Sequence, residues 1–183
     1  MPGILRVDQA NVDIINAKTV GGKVYIPGHV VQVQSVTKTD TWTASMAAGT
    51  WTDITGLSTS ITPVYATSKI LVFGTIYGNG QSAVTQFYFR IMRDTTPIGI
   101  GDAAGNRNRY TGRGYYASDN LTVGMPFSTI DSPSSTSTIT YKIQATTEAT
   151  SNLYVNRTPT DTDNTFLYFG RSASNITIME IAQ

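Results

Sequence analysis

The chain of 183 residues has no cysteine, one histidine and only two glutamates. Without cysteine there is no disulfide, no thiolate nucleophile and no thiolate metal ligand, and the redox compartment is not written in the sequence. With His29 as the one imidazole, a zinc centre of the usual ligand types lacks donors. A Ser-His-Asp triad would have to be built on His29, which follows Pro27-Gly28 at the start of a β-like run, and no motif pairs it with a serine. Paired carboxylates for glycoside hydrolysis need two acidic residues singled out by spacing, and none of the 12 acidic residues stands out in that way. Charged residues make up 14% of the chain and the formal net charge is +1, a poor match to a surface that tracks phosphates. No secretory apolar segment opens the sequence, and no apolar run approaches the roughly 20 residues of a membrane-spanning helix. The expectation is a protein with no catalytic, cofactor or metal residues, no nucleic-acid partner and no membrane partner.

What the chain does have is threonine and serine, together close to a quarter of its residues, and many glycines. β-Branched threonine fits a pleated surface and restricts helix rotamers, so short strands and tight turns are expected. After Pro27-Gly28 the pattern supports this. "HVVQVQSVTK" alternates, with Val31 and Val33 on one face and Val30, Gln32, Gln34 and Val36 on the other. "QFYFRIM" sets Phe87, Phe89 and Ile91 against Tyr88, Arg90 and Met92. "NITIMEIA" sets Ile176 and Ile178 against Thr177, Met179 and Ile181. "KILVFGTIY" is apolar on both faces, as a strand covered twice would be. "LTVGMPFSTI", "STITYKIQATT" and "NLYVN" add further strands, and Pro126 confines its own to an edge or a bulge. Turn chemistry in "YGNGQS", "RDTTP", "SPSS" and "TPTDTDN" separates these runs. Eight to ten strands in two antiparallel sheets are expected: an all-β sandwich or jelly-roll-like domain over residues 28–183, with a closed barrel as the competing architecture.

Residues 1–27 read differently. Their apolar positions Ile4, Leu5, Val7, Val12, Ile14 and Ile15 keep no steady helical period, and Gly21-Gly22 interrupts them. They are expected to form an extended attachment arm ordered by contact with a partner, or a first strand of the main domain.

The stretch "GIGDAAGNRNRYTGRGYY", residues 99–116, carries most of the candidate chemistry. It lacks the GK[ST] ending of a phosphate loop and leads into no convincing helix. Arg107, Arg109 and Arg113 interleave with tyrosines in a way that could stack on bases. The favoured reading is a scaffold-bound surface whose arginines pair with Asp94, Asp102 or Asp119, or with a neighbouring subunit. Tyr88, Met92, Arg107, Arg109, Tyr110 and Arg113 are therefore the candidate oligomer-interface residues, joined by Tyr65 and Tyr77 as aromatics that could occupy an otherwise wet face. "DTDN", Asp161 to Asn164, faintly resembles an oxygen-ligand loop but reads better as a turn held by side-chain to backbone bonds.

The runs "TDITGLS...ITP...SKILV", "GDAAG.R.R" and "ITIMEI", spread over residues 28–183, resemble a β-rich domain common in tailed bacteriophages, especially those of marine and freshwater bacteria. Proteins with that domain are described as tail-fibre or other virion structural proteins, and the family brings no catalytic residue with it. The resemblance implies a non-enzymatic component of the virion's outer surface, made in the bacterial host cytoplasm. By analogy with virion spikes and knobs it also implies a homotrimer. An arm of about 28 residues reaches at most roughly 90 to 100 Å, which suits clamping a knob to a particle better than building a long shaft. A capsid decoration or cement protein bound to the major capsid protein is the expectation. The alternative is a tail-fibre or receptor-binding subunit, attached to another virion protein, whose loops meet a host-surface glycan or protein.

Overall fold

Alternation of buried and exposed side chains along most of the chain resolves into eleven strands in a computed structural model that describes residues 26–81, 86–115 and 118–183. The strands are β1 (Val30–Lys38), β2 (Trp42–Met46), β3 (Thr52–Ile61), β4 (Lys69–Gly80), β5 (Gln86–Arg93) and β6 (Thr96–Ile98). They continue with β7 (Gly112–Tyr115), β8 (Val123–Asp131), β9 (Ile139–Thr147), β10 (Ser151–Val155) and β11 (Ser174–Ile181). Among the described residues the one helical element is a single 3-10 turn, Leu167–Phe169. The candidate arm residues Ile4, Leu5, Val7, Val12, Ile14 and Ile15 lie outside the described residues.

Two antiparallel sheets form a sandwich, as the sequence pattern predicts. Sheet A runs β1-β11-β4-β10-β2, with β8 on the other side of β4. β4 is long enough to pair with β11 along Lys69–Thr75 and then with β10 along Gly78–Gly80, while β8 pairs with it from Gly78 back to Ile70. Sheet B runs β3-β9-β5-β6, with β7 also pairing with β5. The chain changes sheet at β2–β3, β3–β4, β4–β5, β7–β8, β8–β9 and β9–β10, so most connections span the sandwich rather than close a hairpin within one sheet. Pro126 sits opposite Thr75 on β8, whose described ladder is to β4 alone, the edge placement that a missing N–H requires.

The core is the inner face of both sheets. Ile70, Val72 and Ile76 of β4 and Ile176 and Ile178 of β11 meet Phe87, Phe89 and Ile91 of β5 and Ile139, Tyr141 and Ile143 of β9, all buried. Each such side chain removed from water contributes roughly 1.5–3 kcal/mol. The β3 register slips between Asp53 and Ser58, and the extra residues drive Ile54 and Leu57 into this core. Gly56 turns the chain there at φ 88°, a left-handed conformation that favours glycine.

Polar groups tie the two sheets to each other at Asp131 and brace the ends of sheet A. Asp131 of β8 accepts from the Tyr141 hydroxyl at 2.7 Å and from Arg93 Nη1 at 2.9 and 3.1 Å, both donors belonging to sheet B. Asn156, buried after β10, donates to the Lys38 and Asp40 carbonyls and accepts from Ser174 Oγ. Gly28 N and Ala182 N donate to Ala182 O and His29 O, extending the β1–β11 ladder back to the proposed arm boundary.

Several expectations change. The described residues form eleven strands rather than eight to ten. Among the described residues β4 is fully covered on one face, while Leu71, Phe73 and Tyr77 on its outer face are half-buried. Met92 lies on the outer face of sheet B yet is 4% exposed, so the chain itself covers it and leaves little of it for a partner.

Candidate functional site

The two outer faces of the sandwich differ in character, and each presents a candidate surface. On sheet A, Val33, Met179, Leu71 and Ile130 are consecutive cross-strand partners through β1, β11, β4 and β8. Side chains in register on one face touch across strands, so these four form a continuous apolar row. Its ends are open: Val33 is 47% and Ile130 60% exposed. The next row, Ser35, Thr177, Phe73 and Ser128, is mostly polar, with Ser35 and Thr177 bonded at 2.8 Å.

Sheet B's outer face is polar and internally paired. Arg90 donates from Nε and Nη2 to Gln144 Oε1 at 3.0 and 2.8 Å, and Gln144 donates to Asp53 Oδ1 at 2.7 Å. Asp53 also pairs with Lys142 at 2.6 Å. Burial raises the Asp53 pKa, but the bonds from Lys142 and Gln144 outweigh it and hold the carboxyl below its ordinary value. The Arg90 guanidinium lies 4.3 Å over the Trp51 ring and fixes the indole from one side.

Beyond Trp51 the face opens into a cleft of about 390 Å³. Gly49 and Trp51 of the β2–β3 connection form one wall, and Tyr88 of β5 with Thr146, Thr147 and Glu148 at the end of β9 form the floor. Arg107, Asn108 and Tyr110 of the β6–β7 loop close the other side. The Tyr88 and Tyr110 rings are 4.8 Å apart and tilted by 49°. The Tyr88 hydroxyl donates to Glu148 at 2.6 Å, and chiefly for that reason its pKa is pushed up to about 12. It stays a neutral donor across the physiological range. The Thr146 and Thr147 hydroxyls are buried and have no hydrogen-bond partner among the described residues.

The stretch that drew attention in the sequence is thus divided between two tasks. Arg109 Nε donates to Gly101 O at 2.6 Å, and the Arg107 backbone and guanidinium both donate to Ala104 O, so these arginines fold their own loop. Arg113 donates to Gln86 Oε1 at 3.2 Å. None of these bonds goes to Asp94, Asp102 or Asp119, which corrects the expected pairing: local carbonyls and an amide lie closer than the carboxylates. Gly112 and Gly114 belong to β7, and a Cβ there would stand 2.5 Å from the Phe89 ring and 2.3 Å from the Phe87 ring. The glycines make room for core aromatics.

Of the six candidate interface residues, Tyr88, Arg107 and Tyr110 come together in the cleft, Arg113 reaches Gln86 beside it, Arg109 braces the loop, and Met92 is buried. Sequence reasoning missed Trp51, Glu148 and the sheet A row, because cross-strand neighbours are up to about 150 residues apart. It also passed over Phe166, Leu167 and Tyr168, an exposed aromatic turn in which Leu167 is 97% exposed. The "DTDN" segment is an irregular loop that bends at Asn164: Asp161 N donates to Thr158 Oγ1 at 3.2 Å, Asp161 pairs with Arg157 and Arg171, and Asn164 Oδ1 accepts from Phe166 N. Among the described residues no group of three or more His, Asp or Glu could hold a metal, and no helix is long and apolar enough to cross a membrane.

The sequence matches no family model and no curated protein. Among solved structures it is similar to the VP2 subviral particle of infectious bursal disease virus, at 13% identity and TM-score 0.43 over 83% of this chain and 38% of that one. The infectious bursal disease virus Gt strain structure is similar at 15% identity and TM-score 0.43, over 96% of this chain and 45% of that one. The chain spans less than half the length of each.

Proposed function

We propose that this chain is a non-enzymatic virion structural protein, a β-sandwich carried on the outside of a particle as a capsid decoration or cement protein. Residues 28–183 form the displayed domain, and residues 1–27 are the arm that attaches it to the capsid protein. The phage-domain resemblance of the sequence points in this direction. The observation that carries the reading is the apolar row Val33–Met179–Leu71–Ile130 on the outer face of sheet A. Among the described residues the two ends of that row, Val33 and Ile130, stand in water, whereas a closed homo-oligomer would bury them, with a homotrimer as the proposed form. Sheet B, polar and self-paired, then faces solvent.

The test is electron cryo-microscopy of intact particles assembled with the full chain or with residues 1–27 deleted. Threefold density on the capsid lattice that vanishes on deletion, while purified 28–183 keeps its β circular dichroism, is the expected result. An unfolded 28–183 fragment would make the arm a strand of the domain and overturn the boundary. Density on the tail would select the second reading, a tail-fibre or receptor-binding subunit. That reading is favoured by one specific observation, the aromatic cleft on sheet B.

A further inference from the structure

We propose that the cleft between the β6–β7 loop and the end of β9 is a binding site for a neutral saccharide. Its biological meaning rests on the receptor-binding reading, but binding itself is a property of the isolated chain. Sugar rings ask two things of a protein: flat aromatic faces for their polarised C–H groups, and planar polar groups at the edge for their hydroxyls. Aromatic faces carry the negative part of the ring quadrupole and so attract those C–H groups. Trp51, Tyr88 and Tyr110 supply three rings around one space, and Glu148, Asn108 and Arg107 stand at its margin. Amide, carboxylate and guanidinium groups each bond two neighbouring hydroxyls at once.

The cleft is also held ready. Arg90, fixed by Gln144, backs the Trp51 ring, and the Tyr88–Glu148 bond fixes both of those side chains. The Arg109–Gly101 and Arg107–Ala104 bonds hold the loop that carries Tyr110. Groups fixed before binding lose less freedom when a ligand arrives.

Size and charge narrow the class. A volume of about 390 Å³ admits a short saccharide and not a long polymer. The lining has one cation, Arg107, and one anion, Glu148, so it offers no net attraction for a phosphate or a sulfate. Arg109 and Arg113 keep their charge but are not part of the lining, their guanidinium groups donating to Gly101 O and Gln86. A wholly apolar ligand would strand the polar half of the lining without partners.

The experiment is a printed array of neutral, sulfated and sialylated oligosaccharides probed with the full chain, with a single-stranded oligothymidine as a separate arm. Neutral glycans should bind, and Tyr110→Ala and Glu148→Gln should each weaken the signal about tenfold with unchanged circular dichroism and melting temperature. Because both side chains lie at the cleft rim and not in the core, a second variant remains should one fail to fold. Silence from every glycan, binding confined to anionic glycans or oligothymidine, or neutral-glycan binding indifferent to both folded variants overturns the assignment. None of those outcomes bears on where the protein sits on a particle, so this failure and failure of the virion reading are told apart.

Discussion

Glu180 is a carboxylate on the core side of a strand, fully buried between the two sheets. It survives there because four donors reach it: Gln32 Nε2, Val64 N and Ser68 Oγ at 2.7 Å and Tyr65 N at 3.2 Å. Three of these belong to the β3–β4 connection, so one side chain of sheet A fixes the crossover out of sheet B. Glu180→Ala strands those donors and should cost about 3 to 4 kcal/mol in urea unfolding. Burial alone pushes the carboxyl up, but the bonds from Gln32, Ser68, Tyr65 and Val64 outweigh it and hold the group below its ordinary 4.5. The folded chain therefore takes up this proton later than the unfolded one. Its stabilisation is full above pH 4.5 and drains away as pH falls through the lower folded value. Glu180→Gln, which cannot titrate, should be less stable than wild type at neutral pH and close the gap as pH falls below 4.5. A gap that stays constant down to pH 3 would remove Glu180 from the acid limb. The alternation of "NITIMEIA" already aligns this glutamate with Ile176 and Ile178. What the sequence could not show is its partners, up to 148 residues away.

At the scale of elements, legibility follows regularity. β5 and β11 alternate cleanly and their faces are read correctly from the sequence. β3 does not, because the slip between Asp53 and Ser58 inserts residues and breaks the period of two. β2 is five residues long, and β6 and β7 are three and four, too short for a periodic signal. β7 is the instructive miss. Its glycines look like loop residues, yet each lies opposite an aromatic of β5, Gly114 facing Phe87 and Gly112 facing Phe89. Only a residue without a Cβ lets the rings lie across the strand at that distance. Gly114→Ala would place a methyl 2.3 Å from the Phe87 ring and 2.9 Å from Met125 Sδ, and overpacking of this kind costs about 1 to 3 kcal/mol. Gly101→Ala, in the same sequence stretch, meets nothing within 4 Å and has an unexceptional φ, so it should stay within about 0.5 kcal/mol of wild type. Thermal melts of the two variants decide it: equal melting temperatures would mean that β7 is a surface ribbon and not part of the packed sandwich.

Across the whole molecule, the proposed oligomer raises the question of which outer face would meet other subunits. Two-sided apolarity in "KILVFGTIY" is visible in the sequence, and so is the alternation that puts Tyr88 and Met92 together on β5. Deciding between the faces needs the third dimension. Met92 proves covered and Tyr88 lines a cleft, whereas Val33 and Ile130 stand exposed at the two ends of an apolar row. If sheet A is the contact face, Ile130→Asp together with Val33→Asp should convert an oligomer into monomers. Buried interface centres reject charge, while positions 60% and 47% exposed in the single chain tolerate it. Light scattering coupled to size exclusion should give about three chain masses for wild type and one for the double variant, with the β circular dichroism unchanged. Tyr88→Asp, on the opposite sheet, should leave the mass unaltered. A wild-type chain that is monomeric at high micromolar concentration, or a double variant that still assembles, would move the contact away from sheet A. The reverse pattern, with Tyr88→Asp alone dispersing the oligomer, would place the subunit contact over the cleft and close it to any sugar.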